Sequence, residues 1–436
     1  MLHSKFNNLM IIIFCFYFSF VVAGCCEGPL KHTFSDISLT AQPEVSNSPS
    51  RIQKADAPER IILNLTLTPS TSQAVTWRTN FPMFYPQAQI APATGFAIFN
   101  EKAHTVNAET QTVSLEDGSV VFHHAVVFES LVPDTLYVFR VGIEGRWSEW
   151  SQFKTACSGQ VSFTFVYFGD PQEEIKSKCS RIFRAAYKKA PNANFWLFVG
   201  DLVDNGGKDE EWEELFDALG WIPRTTPLIL LPGNHEYPDK RFVYGADYKL
   251  FSLWRPHFTL PENGPAGLEE TVYYIDYQGV RLVMLNGNER LEDQARWLDG
   301  ILSENPQLWT IVAIHQPMYS TGKRRNNSML RQLFATIFDK HSVDLVLQGH
   351  DHSYSRTYKI KNGIRVDPNK QGTVYVISVS GPKSYPINTL HHNLMEKTGN
   401  GRQLFQVISV NSARLKYESF DATGALYDMF ILNNRK

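Results

Sequence analysis

Phe195-Trp196-Leu197-Phe198-Val199-Gly200-Asp201-Leu202-Val203-Asp204 is the stretch whose reading decides the fold. Five apolar residues in succession predict a strand buried on both faces, as in the interior of a mostly parallel sheet. Gly200 then allows a tight turn, and Asp201 falls at the C-terminal mouth of the strand, where ligands collect in open α/β sheets. Other apolar runs end the same way. Residues 161–168 lead into Gly169-Asp170-Pro171-Gln172, and 228–231 into Pro232-Gly233-Asn234-His235-Glu236. Residues 309–314 lead into His315-Gln316-Pro317, and 343–347 into Gln348-Gly349-His350-Asp351-His352. A single Gly-Asp is ordinarily a turn, and a single His ordinarily a hydrogen-bonded core residue. Repeated in register after apolar strands, these endings predict one metal centre.

The donor types narrow the metal. Carboxylate, imidazole and amide oxygen without thiolate suit divalent Zn, Mn or Fe. So many donors exceed one tetrahedral site and fit two ions sharing a carboxylate. Such a pair, about 3.5–4 Å apart, can hold a hydroxide and clamp the attacking and leaving oxygens of a phosphoryl group.

Helical patterns alternate with these strands at 175–189, 210–219, 292–302 and 329–338, while residues after Gly372 read mostly as β. That alternation predicts a layered α/β domain with antiparallel sheet edges. Upstream, residues 61–155 carry short alternating runs such as Ala74-Val75-Thr76-Trp77 and Tyr137-Val138-Phe139-Arg140-Val141, which predict a β-sandwich similar to fibronectin type III. The corner Pro133-Asp134-Thr135-Leu136-Tyr137 fits that fold. Trp147-Ser148-Glu149-Trp150-Ser151 resembles a cytokine-receptor box, but with no paired cysteines or second module it reads as an edge segment stacking two indoles on the sheet.

The chain has 436 residues, 43% hydrophobic and 20% charged, with a net charge of −2, so it has the material for a large core. Nothing global favours nucleic acid or an anionic surface. Lys5 and the apolar run 9–23 read as a signal peptide over 1–24. Val22-Ala23-Gly24-Cys25 looks like a lipoprotein box that would lipidate Cys25, with a plain secretory signal as the alternative; either implies export. Residues 25–57 read as a Ser/Pro-rich linker, 58–156 as the sandwich and 157–436 as the α/β domain. The sequence leaves open whether Cys157 and Cys179 pair.

The order of the five strand endings resembles the calcineurin-like metallophosphoesterases, and the preceding sandwich makes it similar to the purple acid phosphatases, over residues 61–432. The resemblance implies a four-layer α/β/β/α domain behind the fibronectin III-like sandwich and a phosphate-ester substrate. It also implies two divalent metals, with Asp201 bridging them, Asp170 and His352 completing one site, and Asn234, His315 and His350 the other. His235 would touch the phosphoryl oxygen and protonate the leaving group, with Glu236 tuning it, and Asn234 would also face substrate. Hydroxide held by the metals would be the nucleophile.

Three departures stand out. Asp204 occupies the position where purple enzymes carry the tyrosine that colours ferric ion, and reads as a hydrogen-bond acceptor behind the metals or a helix cap. Gln172 stands where relatives have His or Gly, as a metal ligand or a partner of bound water. Arg324 and Arg325 lie where substrate-facing histidines are expected; they are candidate phosphate binders, unless the loop is simply solvated. The expected activity is phosphomonoester hydrolysis. Phosphodiester or nucleotide hydrolysis is the alternative within the enzyme class, and a surface adhesion protein with an inert domain the alternative outside it.

Overall fold

The computed structural model describes residues 57–239, 249–323 and 325–434. The signal sequence, Cys25, the linker up to residue 56 and Arg324 lie outside the described residues.

Two sheets pack face to face in the α/β part. The central strands of the first, Phe163–Phe168, Phe195–Phe198 and Leu228–Leu230, are parallel, and Leu404–Val410, Arg414–Asp421 and Leu426–Asn433 extend it antiparallel. The second runs Val280–Leu285, Trp309–Ile314, Leu345–Gln348 and Val374–Ile377 in parallel, with antiparallel strands at its edges. Between the sheets, Phe163 and Phe195 set their rings 4.8 and 5.1 Å from Tyr277. The Tyr273 hydroxyl donates to the Leu230 carbonyl at 2.6 Å, fixing the spacing of the layers. Outside the first sheet, helix Ser180–Lys189 packs Phe183 on Phe168 and Trp196. Helix Leu291–Ser303 covers the second sheet with Leu291, Leu298 and Leu302. This is the expected α/β/β/α order, and burial on both faces explains why the central strands are unbroken apolar runs.

The sandwich is present, with Trp77, Phe128, Phe139 and Phe153 in its core. The Tyr137 hydroxyl accepts the Val132 N–H at 2.9 Å, closing the expected corner. Trp147 and Trp150 flank the Arg140 guanidinium at 4.6 and 4.7 Å, so the two indoles form a cation–π ladder with it. One sandwich sheet does not stop at its own boundary. Strand Glu59–Asn64 pairs antiparallel with Gln73–Thr79 and parallel with Leu228–Leu230, making a single ten-stranded sheet across both parts.

A buried polar joint reinforces that continuity. Asp209, the first residue of helix Asp209–Leu219, accepts from Arg60 at 2.6 and 3.0 Å and from Arg78 at 2.5 Å. Arg60 also donates to His257 Nε2 at 3.1 Å, while His257 Nδ1 donates to the Leu253 carbonyl at 2.6 Å. The His123 ring stands 4.7 Å from that of His257. His123 thus belongs to the joint and not to a metal site. Cys157 and Cys179 are both free thiols, which closes the open question of their pairing. No helix among the described residues is long and apolar enough to cross a membrane.

Candidate metal centre

The five motif-bearing strands end on one edge, and the two sheets contribute different chemistry to it. The first sheet supplies oxygen donors (Asp170, Asp201 and Asn234), the second the imidazoles His315, His350 and His352. His315 Nε2 lies 3.1 Å from Asp201 Oδ2, 3.2 Å from Asn234 Oδ1 and 3.1 Å from His350 Nδ1. His352 Nε2 lies 3.9 Å from Asp170 Oδ1. Two donor groups result, Asp201–His315–His350 and Asp170–Asp201–His352, with Asp201 in both.

The backbone bears the cost of this convergence at the ligands themselves. Asp170, Asp201, His350 and His352 have φ of +46°, +50°, +72° and +48°, a region that non-glycine residues seldom occupy and that recurs at functional sites. Gly200 makes a turn as expected, at φ +86°. Gly233 and Gly349 serve differently. A Cβ on Gly233 would stand 2.2 Å from Asp201 Oδ1, and one on Gly349 2.4 Å from Asp170 Oδ2, so these glycines make room for the carboxylates. Main-chain donors then aim them: His235 N–H donates to Asp201 Oδ1 at 2.8 Å, and His350 N–H to Asp170 at 2.7 and 2.8 Å. His315 Nδ1 donates to the Val199 carbonyl at 2.8 Å, which leaves Nε2 to face the donor group.

Electrostatically the cluster is unbalanced as a set of protein groups alone. Burial pushes the Asp170 carboxyl well above the usual carboxylate range. Burial acts on Asp201 in the same direction, but His315, His235 and His350 outweigh it and hold that carboxyl low. Burial opposes charging His315, yet Asp201 and Asp170 raise it to about 9. Burial, with the positive Arg325, keeps His350 far below its ordinary value, and burial lowers His352 to about 3. Among the described residues, Gln172 Oε1 and His352 Nδ1 are buried without a hydrogen-bond partner, at a cost of about 1–3 kcal/mol each. Two buried carboxyl groups, the neutral imidazoles of His350 and His352 and an unsatisfied amide oxygen are what divalent cations would satisfy, with His315 releasing its proton on binding, so the residues fit two such ions.

The remaining candidates divide. Gln172 lies inside, its amide nitrogen 3.1 Å from His352 Nε2. His235 Nε2 is 3.9 Å from Asp201 Oδ2, and its Nδ1 lies 2.6 Å from the Asp204 carbonyl and 3.1 Å from the Asp204 carboxylate. Asp204 therefore sits behind His235. The Glu236 carboxylate is consumed by three main-chain donors, from Asp201 (2.9 Å), Leu202 (2.8 Å) and Gly233 (2.6 Å), so it braces the two ligand loops together. Burial and Asp201 push it up to about 7. Arg325 is anchored, not solvated: its Nη1 donates to the His350 carbonyl at 2.5 Å and to Asp351 at 3.0 Å.

Sequence reasoning missed an amide chain beneath the site. Asn288 Nδ2 donates to the Gly233 carbonyl at 3.1 Å, Gln316 Nε2 to Asn288 Oδ1 at 2.7 Å, and Gln348 Nε2 to the Gln316 carbonyl at 3.0 Å. The sequence holds a signal for it: Asn286-Gly287-Asn288 directly follows strand Val280–Leu285, as the ligand motifs follow theirs. Asp351, lying between the two ligand histidines, was also passed over.

Residues 163–354 match the calcineurin-like phosphoesterase family, and residues 58–155 match the purple acid phosphatase N-terminal domain. Human acid phosphatase type 7 is 26% identical, over 74% of this chain and 78% of its own length. Purple acid phosphatase 18 of Arabidopsis thaliana is 25% identical, over 74% of this chain and 72% of its own. The structure of a purple acid phosphatase from yellow lupin (Lupinus luteus) seeds superposes with a TM-score of 0.73 at 19% identity, covering 87% of this chain and 74% of that one.

Proposed function

On the premise that this chain joins a purple acid phosphatase N-terminal domain to a calcineurin-like phosphoesterase domain, and is a phosphatase binding two divalent metals, we propose that it hydrolyses phosphate monoesters. The observation that carries the reading is the pair of donor groups sharing Asp201. Asp170, Asp201 and His352, with Gln172, would hold one ion, and Asp201, Asn234, His315 and His350 the other. When bound, the ions supply Lewis acidity that lowers the pKa of the attacking water and neutralises the phosphoryl oxygens.

The chain's own residues do the rest. Asn234 and His235 follow the same turn, so a phosphoryl group over the centre meets an amide and an imidazole side by side. With Nδ1–H given to Asp204, His235 presents Nε2 to that group. Protonated, it donates to the departing alkoxide, with the Asp204 carboxylate 3.1 Å from its Nδ1 holding the ring in place. Glu236 keeps the Asp201 and Asn234 loops in register. With Asp204 in place of a tyrosine, the protein is expected to show no ferric–tyrosinate absorption band.

The human relative is an acid phosphatase, which supports the monoester reading over the diester alternative. Assay of 4-nitrophenyl phosphate beside bis(4-nitrophenyl) phosphate tests it: the monoester should be the better substrate by kcat/KM, and preference for the diester overturns the assignment. Convergence of the donors counts against an inert adhesion protein. The segment ending in Val22-Ala23-Gly24-Cys25 supports export, with a lipid on Cys25 as the anchor; loss of lipid labelling in Cys25→Ser tests the anchor.

A further inference from the structure

Asp351 lies between two candidate ligands and turns its side chain away from the metal centre. Its carboxylate is fully buried. It accepts from the Ser320 hydroxyl at 2.8 and 3.0 Å, from Thr321 N–H at 2.7 Å and from Gly322 N–H at 2.8 Å. A Cβ on Gly322 would come within 2.6 Å of Asp351 Oδ1 and 3.0 Å of Arg325 Cδ, so the loop closes on the carboxylate through a residue with no side chain. The remaining contacts are the Thr321 hydroxyl, at 3.4 Å, and Arg325 Nη1, at 3.0 Å. The same nitrogen reaches the His350 carbonyl, which ties the guanidinium to the turn that carries a metal ligand. Arg325 Nη2 and Nε make no hydrogen bond to any described residue, and 29% of the side chain is exposed. Below the guanidinium lies the Tyr385 ring, 5.9 Å from Cζ, itself 4.9 Å from the ring of His352.

A buried carboxylate is costly unless its partners are in place, and a loop that merely needed closing could use neutral acceptors. We propose that Asp351 is a positioning residue that clamps residues 320–322 and holds the free edge of Arg325 at the mouth of the centre, where it binds a non-bridging oxygen of the substrate phosphate. A planar guanidinium held at one nitrogen retains donors on its other edge in a fixed direction, the geometry that phosphate recognition uses. The inference rests on the phosphatase reading of the site and adds to it the residue that sets affinity for the phosphoryl group.

The test is a double-mutant cycle on metal-loaded full-length protein. Arg325→Ala should raise KM for 4-nitrophenyl phosphate, and the Kd of inorganic phosphate by calorimetry, about 10- to 100-fold, the range of a charge-assisted hydrogen bond. The kcat should move far less, and metal content should not change. Asp351→Asn should reproduce most of that rise, and the double variant should add little to Arg325→Ala, because the two residues act through one guanidinium. An unchanged phosphate Kd in Arg325→Ala, or effects that simply add, would overturn the proposal. If the wild-type protein fails to turn over monoesters, the phosphatase reading fails instead, and phosphate binding by the variants still decides the role of Arg325.

Discussion

At the joint, Arg60 and Arg78 face Asp209 with His257 and His123 beside them; at the strand ends, Asp170 and Asp201 face His315, His350 and His352. Both clusters are largely buried and mix acidic with basic side chains. In the joint, the carboxylate accepts three hydrogen bonds from guanidinium groups, so the charges are paired within the protein. At the strand ends Asp170 and Asp201 meet the neutral His350 and His352, all four at positive φ, with only the His315 imidazole to offset the carboxyl groups and, among the described residues, an unpartnered amide oxygen beside them. Perturbed ionisation marks both places and cannot tell them apart. What separates them is whether the protein supplies the balancing cation, and only the second cluster asks for one from outside.

That contrast can be broken most severely by treating the two aspartates alike. Asp201→Asn should cut phosphatase activity by about a thousandfold or more, about 4 kcal/mol at 1.36 kcal/mol per decade. It should lower the urea stability of metal-free protein less than Asp209→Ala does, because loss of the His315 ion pair at 3.1 Å is offset in part by relief of repulsion with Asp170. Asp209→Ala should do the reverse. Leaving Arg60 and Arg78 without their shared carboxylate should cost about 3–5 kcal/mol of unfolding free energy, with added metal restoring none of it. Similar destabilisation by both substitutions would erase the distinction.

Acid sharpens the comparison. Burial, reinforced by Arg60 and Arg78, lowers His123 to about 3, and burial with His123 and Arg60 carries His257 well below its ordinary value. Both are neutral in the folded state and become protonated near pH 6.5 when unfolded. Their contribution to stability is therefore complete above about pH 6.5 and is lost as pH falls toward 3. Thermal melts of chelated protein should show that decline, and His123→Gln should flatten it.

A smaller effect belongs to the amide. Gln172→Ala should weaken binding of one metal by about tenfold while the other is retained, measured by competition with a chelator. No change in either affinity would make Gln172 a bystander.

The ligand edge was legible because each donor directly follows an apolar run, and strand length fixes where that edge lies. The glycines were legible as necessary but not for the right reason, since only the coordinates reveal that Gly233 and Gly349 make way for carboxylates of other strands. Asn288, Gln316 and Asp351 escaped because their contacts are made across strands far apart in sequence. The joint escaped for a similar reason. Arg60, Arg78, Asp209 and His257 are scattered over four segments, and nothing local announces that strand Glu59–Asn64 will complete a sheet begun more than a hundred residues later.

The shared carboxylate is the centre of the account, and metal stoichiometry tests it most directly. Elemental analysis of protein purified without added metal, repeated after saturation and desalting, should give two divalent ions per chain for wild type. In Asp201→Ala both sites should be weakened together. A wild-type chain that takes up no ion, or an Asp201→Ala variant that keeps both, would contradict it.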